Sequence, residues 1–325
     1  MAQGTTAAGR VEERRRLRIN WASLGLVGIL ILLVLLFSVL SRYFFQMKNF
    51  LDIGRAVSVQ GITAAGMTIG LIAGAFDLSI ASVMAASGVL VAMLLQHGMP
   101  LAVAMLAGIL LGVVVGLLNG LIVTRLRINP LITTLGTMSI VRGVAFLATG
   151  GVSLSINNDA FRFVGRGRLA TVPAPFVFML IIFIIVYIVL GYTQFGRYVY
   201  AIGGNPVASR LAGINVNKWR LVIYVIVAAS AGLSGVVLAS LMGTAMPNAA
   251  QGYELNVIAA VILGGASLAG GAGTIQGTLV GILILGVLSN GLVLLNVQTY
   301  YQMIAQGFVL LAAVAADQLR TGGYK

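Results

Sequence analysis

The sequence predicts an all-α protein, a polytopic transmembrane bundle of about ten helices with both termini in the cytoplasm. Three observations predict it. The 325 residues are 59% hydrophobic and only 8% charged, against about 25% charged in a soluble domain, so there is too little polar surface to cover a water-facing globule. Apolar runs of membrane-crossing length recur along the chain. Lysine and arginine sit between those runs, and unequally on alternate sides.

A helix needs about 20 apolar residues to cross the hydrocarbon core. By that length the spans fall near 20–41, 53–74, 78–96, 101–123, 130–149, 174–191, 219–241, 254–268, 275–293 and 299–317, the eighth being short. Arg14, Arg15, Arg16 and Arg18 precede the first run in the manner of a signal peptide. The run is long enough to span, however, and Ser41-Arg42-Tyr43-Phe44 closes it without a small-x-small cleavage site, so an uncleaved first helix is expected. With the N-terminus inside, the inner segments carry Arg10, Arg14, Arg15, Arg16, Arg18, Arg125, Arg127, Arg197, Arg210, Lys218, Arg220, Arg320 and Lys325. The outer segments carry Arg42, Lys48, Arg55, Arg162, Arg166 and Arg168. That is thirteen against six, a bias toward an even number of spans. Counting membrane ends with their loops, Arg142 is the one basic residue left embedded in a span, where it needs a backbone carbonyl or an acid as partner.

The expected organisation is a cytoplasmic tail over 1–19, one membrane domain over 20–317, and a cytoplasmic tail over 318–325. Two connections are long: a polar outer one near 150–173 and an inner one over 192–218. A glycine-rich break at 70–79 is echoed at 263–271. This is either an internal repeat of the kind transporters use or the chance recurrence of turns in a chain with 42 glycines.

Composition also excludes functions. The net charge of +13 is spread between apolar runs rather than gathered on one face, so a nucleic-acid partner is not expected. The chain has no cysteine and a single histidine, His97, which leaves no His-based triad, thiolate site or histidine metal cluster. No G-x-x-x-x-G-K-[ST] motif occurs, so the chain has no P-loop for ATP. No catalytic residue, metal or cofactor is therefore expected. Acids are few, and only Asp77 and Glu254 come near the membrane interior, which argues against a proton-driven carrier.

The inner connection contains a short helix with its punctuation written out. Asn205 suits the N-cap, Pro206 the first helical position and Gly213 the left-handed residue that ends it. Val207 and Leu211 share one face. So short a helix needs packing to persist, and the reading is a surface helix that docks a soluble partner or, alternatively, an ordinary amphipathic connector.

The run from Thr193 to Ile214 resembles the cytoplasmic coupling loop in permeases of bacterial ATP-binding-cassette monosaccharide importers, the ribose, xylose, arabinose and galactose group. Phe76-Asp77-Leu78-Ser79 with Ala81-Ser82, Asn129 to Met138 with Arg142-Gly143, Gly252-Tyr253-Glu254-Leu255, Gly264 to Leu268 and Gly271 to Thr274 resemble further segments of that family in the expected order. The likeness runs from about 50 to 317 and is nearest the L-arabinose type. Ala75, Pro130, Pro206 and Val207 depart from the family's usual residues; the last two bear on which ATPase subunit docks.

The resemblance implies a permease subunit of the bacterial cytoplasmic (inner) membrane that pairs with a second copy of itself and is surrounded by membrane lipid. Two separate ATPase subunits would dock inside, and a soluble periplasmic or extracellular sugar-binding protein would deliver the sugar outside. Asn205, Val207, Ser209, Arg210, Leu211 and Gly213 would transmit motion, with Val207 and Leu211 gripping the membrane domain and Ser209 and Arg210 facing the ATPase. Candidate pathway residues by polarity are Asp77, Asn290, Thr133 and Thr134, with Asn296 and Ser139 behind them; interhelical hydrogen bonding is the competing role for each threonine, serine and asparagine, and helix capping for Asp77. Rival readings are an ion-gradient-driven secondary transporter, an intramembrane enzyme, and a related permease for branched-chain amino acids or nucleosides.

Overall fold

The computed structural model describes residues 21–321, with side chains from 25 to 315. The expected tail at 1–19 lies outside the described residues, and of the expected tail at 318–325 the first four residues continue the last helix while 322–325 lie outside them. The described chain is a helical membrane protein, and its only strands are four two-residue pieces.

The helices are α1 (Trp21–Leu40), α2 (Met47–Ile72), α3 (Ile80–Gln96), α4 (Leu101–Leu121), α5 (Pro130–Thr149), α6 (Asp159–Arg166), α7 (Ala174–Tyr192), α8 (Gln194–Gly204), α9 (Pro206–Leu211), α10 (Val216–Met242), α11 (Tyr253–Leu263), α12 (Ile275–Leu294) and α13 (Thr299–Thr321). A π-helical turn, Ile122–Leu126, extends α4. Six helices are long and apolar enough to cross a membrane: α2, α4 with its π turn, α5, α7, α10 and α12. Helices α3 and α11 are shorter, and α1 and α13 enter this comparison only through 25–40 and 299–315, the parts whose side chains are described.

The eighth expected span, 254–268, is corrected. Helix α11 stops at Leu263, because Gly265 takes a positive φ of 91° and breaks the ladder. Its 11 residues rise about 16 Å, roughly half of the hydrocarbon core. The polar loop near 150–173 is likewise partly ordered: it holds α6 and the strands β1 (Leu154–Ser155), β2 (Arg168–Leu169) and β3 (Val172–Pro173). Strand β1 pairs antiparallel with β4 (Thr244–Ala245), and β2 with β3.

Helix α2 is the axis of the bundle, buried from Val57 to Ile72 save for Gln60. It packs against α7, α10, α11 and α12. Helices α4 and α10 form the closest pair, and the sequence shows why. Gly108, Gly112, Gly116 and Gly120 repeat every fourth residue, so they line one stripe of α4. A Cβ at Gly112 or Gly116 would run into the carbonyls of Ala228 and Tyr224, so only glycine lets the two backbones approach this far. Buried hydroxyls add ties: Thr68 and Thr278 share a hydrogen bond at 2.8 Å between α2 and α12.

The connections sort into two ends. One end gathers 73–79, 122–129, 193–215 and 264–274: Gly271 N donates to the Ile72 carbonyl, and residues 123, 124, 127–130, 210, 217 and 220 line one cavity. The other end gathers α6, β1 and β4; there Gln96 Nε2 donates to the Ser155 carbonyl at 2.9 Å. The first end carries the segments that the basic-residue bias places in the cytoplasm.

Candidate functional site

Helix α9 forms as its sequence dictates. Asn205 Oδ1 accepts from Val207 N at 3.0 Å and Ala208 N at 2.9 Å, satisfying two of the free amides at the helix start. At the far end Gly213 has φ 84°, its amide donates to the Arg210 carbonyl, and Ile214 donates to the Ser209 carbonyl, which is the paired bonding of a Schellman end.

The faces of α9 are reversed from the expectation. Ser209 is 5% exposed, whereas Val207 is 63% and Leu211 87% exposed. Ser209 turns inward because its hydroxyl is satisfied locally, donating to the Asn205 carbonyl at 2.9 Å. The grip on the membrane domain comes instead from α8, which buries Gly196, Val199 and Ile202 and sets Phe195 and Tyr198 against Trp219 with ring centroids 5.5 and 5.3 Å apart. With α8 as anchor, α9 is left with an apolar outer face, and Arg210 is exposed beside it.

The end of α8 reaches both glycine-rich breaks. Gly203 lies against the Ile72 carbonyl, where α2 ends, and against Gly270 and Gly271 of the second break. Gly271 N closes the junction by donating to the Ile72 carbonyl at 2.7 Å. Tyr200 donates its hydroxyl to the Gly273 carbonyl at 2.9 Å. Burial pushes the Tyr200 pKa upward, so the phenol stays protonated and keeps donating across the physiological range. Backbone from three distant parts of the chain thus meets at one point, next to the helix that presents Val207 and Leu211 outward.

Asp77 sits in the first break, fully buried. Its Oδ1 accepts from Ser79 N at 2.8 Å and from Ser79 Oγ at 2.6 Å, and Asn119 Nδ2 lies 3.4 Å from Oδ2. The carboxylate thereby orders the turn that starts α3. Thr134 donates to the Pro130 carbonyl at 3.0 Å, back along its own helix, while the buried Thr133 hydroxyl has no hydrogen-bond partner among the described residues. Ser139 donates to the Leu135 carbonyl, and Asn296 forms the left-handed turn after α12 at φ 55°.

Of the four main pathway candidates, Asn290 borders a cavity within the bundle. That cavity, about 250 Å³, lies between α2, α11, α12 and α13 and is lined on its polar side by Gln60, Tyr253, Asn256, Ser289, Asn290 and Gln306. Asn290 Nδ2 donates to Asn49 Oδ1 at 3.0 Å, and its own Oδ1 is buried without a partner among the described residues. Tyr253 hydrogen-bonds Gln60. Amides, a hydroxyl and a phenol with no lining carboxylate or ammonium make a neutral cavity, suited to an uncharged polar solute. Sequence reading missed five of the six. The available signal was an amide within an apolar run, Gln60 in α2 and Asn256 in α11.

Arg142 finds backbone partners: its Nη1 donates to the carbonyls of Pro247 and Ala249, both at 2.8 Å. It therefore ties α5 to the segment that leads into α11.

These features define a polytopic helical membrane protein whose short capped helix α9 exposes an apolar face. The chain matches the family model "branched-chain amino acid transport system / permease component" over residues 49–314 and belongs to that family. It is a multi-pass protein of the cytoplasmic membrane. It is 42% identical over 297 residues to the ribose import permease protein RbsC of Escherichia coli K12, covering 90% of this chain and 92% of that one. It is 40% identical over 294 residues to the RbsC protein of Bacillus subtilis, covering 90% and 91%. The L-arabinose transport system permease protein AraH of Escherichia coli K12 is 39% identical over 300 residues, covering 92% of each chain. The ribose and arabinose permeases stand close enough together that identity does not single out the arabinose type. No solved structure matches the chain.

Proposed function

We propose that this chain is the membrane subunit of an ATP-driven monosaccharide importer, working as a pair with two separate ATPase subunits and a soluble sugar-binding protein. The observation that carries the reading is the outward apolar face of α9 beside a backbone junction that joins α8 to both glycine breaks. A docked ATPase that closes on ATP would move α8 and α9 together, and the ends of α2 and of the second break would follow. The neutral, amide-lined cavity supports an uncharged polyol as cargo, in keeping with relatives named for ribose and L-arabinose import.

The family description gives a second reading, a branched-chain amino acid as cargo. A zwitterion needs charged partners for its ammonium and carboxylate, and the cavity offers none among its lining residues, so sugar is preferred.

The test is recovery of the full chain from native membranes in mild detergent, followed by uptake of labelled pentoses and of leucine in proteoliposomes with whatever subunit accompanies it. A stoichiometric P-loop subunit and ATP-dependent pentose uptake are expected. Recovery of the chain alone, under conditions that keep a known importer intact, refutes the coupling role and favours a gradient-driven carrier.

A further inference from the structure

A second cavity, larger than the first, lies at the cytoplasmic end. It measures about 590 Å³ and is bounded by the π turn after α4, the start of α5, α9 and the start of α10. Three arginines from three separate elements line it: Arg127, Arg210 and Arg220. Thr124, Asn129 and Asn217 complete its polar wall, and no aspartate or glutamate lines it.

The local structure spends energy to build this arrangement. Arg127 holds a left-handed φ of 58°, which a non-glycine residue adopts only when its surroundings impose it. The buried Nε of Arg220 has no hydrogen-bond partner among the described residues. Guanidiniums that share a cavity repel one another, and an unpaired buried donor adds its own desolvation cost. Both penalties are relieved by an anion with several acceptor oxygens, for which the guanidinium fork is matched.

The rim identifies which anion. Leu126, Ile128, Leu131 and Ile132 are all exposed beside the cavity, on the turn and the first part of α5. Helices α4 and α10, both of membrane-crossing length and hydropathy, end at its wall. A basic cavity at the cytoplasmic edge of the bilayer, with apolar side chains next to it, fits a phosphate that carries acyl chains. We infer that this cavity is a binding site for the headgroup of an anionic phospholipid, held by Arg127, Arg210 and Arg220 with its chains along the start of α5. The site stands independently of which solute the permease carries. Since Arg210 belongs to α9, lipid occupancy would stiffen the docking helix from below.

The test is native mass spectrometry of the full-length chain in mild detergent, titrated with phosphatidylglycerol and separately with phosphatidylcholine. The wild type is expected to retain phosphatidylglycerol in preference to phosphatidylcholine. Arg127→Gln and Arg220→Gln are each expected to weaken phosphatidylglycerol binding about tenfold, the value of one charge-assisted contact, and to leave phosphatidylcholine unchanged. Arg168→Gln, exposed at the opposite end, should change neither. Lipid-free helical circular dichroism checks that each variant folds, and Arg220→Lys, which keeps charge but loses the fork, should fall between. Inorganic phosphate at millimolar concentration should leave the lipid bound. Equal retention of the two lipids, or a preference that survives both glutamine variants, overturns the inference. Displacement by phosphate alone reassigns the cavity to a free anion. If the glutamine variants release the ATPase subunit while lipid preference persists, the occupant is an acidic group of that subunit and the lipid assignment fails.

Discussion

The sharpest prediction concerns two adjacent glycines with opposite expectations. Gly203 and Gly204 end α8, and neither has a positive φ, so alanine is conformationally tolerable at both. Their surroundings differ. A Cβ on Gly203 would overlap the Ile72 carbonyl oxygen and lie 2.6 Å from Gly271 N, both of them backbone atoms that no rotamer change can move aside. A Cβ on Gly204 meets nothing within 4 Å. Gly203→Ala must therefore separate α8 from α2 and the second break. Overpacking costs about 1–3 kcal/mol, and losing the buried Gly271 N to Ile72 O bond costs about 1–3 kcal/mol more, for about 2–6 kcal/mol in all. Gly204→Ala removes chain entropy from the unfolded state and should stabilise by about 0.5 kcal/mol. Thermal unfolding in detergent reads the stability difference, and substrate uptake in cells reads the coupling. Gly203→Ala should melt lower and lose at least about tenfold in uptake, since about 1.4 kcal/mol of mismatch between states already shifts their populations tenfold. It should still bind the ATPase subunit, because the outer face of α9 is untouched. Equal melting of the two variants, or full uptake in Gly203→Ala, would refute the junction as a mechanical link.

Four further expectations follow from the same geometry. Leu211→Asp, which places a charge on the 87% exposed position, should leave the melting temperature unchanged but cut recovery of the ATPase subunit in a pull-down at least about tenfold. Asn205→Ala removes the cap on α9 and should cost about 1 kcal/mol locally, read as faster hydrogen exchange at the amides of Val207 and Ala208. Arg142→Met leaves the Pro247 and Ala249 carbonyls without their donor and should lower stability by about 3 kcal/mol in the same unfolding assay. Asn256→Leu should reduce uptake without weakening the ATPase complex, because it replaces a polar wall of the 250 Å³ cavity with apolar bulk far from α9; unchanged uptake would remove that cavity from the pathway.

Much of the fold was legible in the sequence because membrane crossing imposes a length rule. Helices α3, α5, α7 and α12 begin and end within about two residues of the apolar runs that announce them. Capping chemistry is as local as hydropathy, so Asn205, Pro206 and Gly213 delimited α9 correctly. The eighth span failed because hydropathy continues through Ala266 and Leu268 while the backbone has already turned at Gly265. The faces of α9 were misread for a different reason. An i, i+4 pair shows that Val207 and Leu211 share a face but not which way it points, and that choice was made by α8, whose burial of Val199 and Ile202 left α9 outside. The cavity residues were hidden because Gln60, Asn256 and Gln306 are far apart in sequence and meet only when α2, α11 and α13 assemble.

The junction at Gly203 also brings the two glycine breaks together beside one surface helix. Side-chain contacts between moving elements can absorb a displacement through rotamer changes, so part of any motion is lost. Backbone in direct contact with backbone has no such slack. Gly203 bears on the end of α2, and the hydrogen bond from Gly271 locks the second break to the same carbonyl, so a shift of α8 must be shared by both. Those breaks in turn begin α3 and α12, through the Asp77–Ser79 turn and the Thr274 cap. Two of the helices in this linkage, α2 and α12, also wall the amide-lined cavity. Under the proposed function, a displacement applied at the surface of α9 would reach the cavity wall through α8 and the first residues beyond α2. If the cavity is the solute site proposed, tight binding there would oppose the change of state, and a lining of neutral amides and hydroxyls, with no ion pair to break, would keep that opposition small.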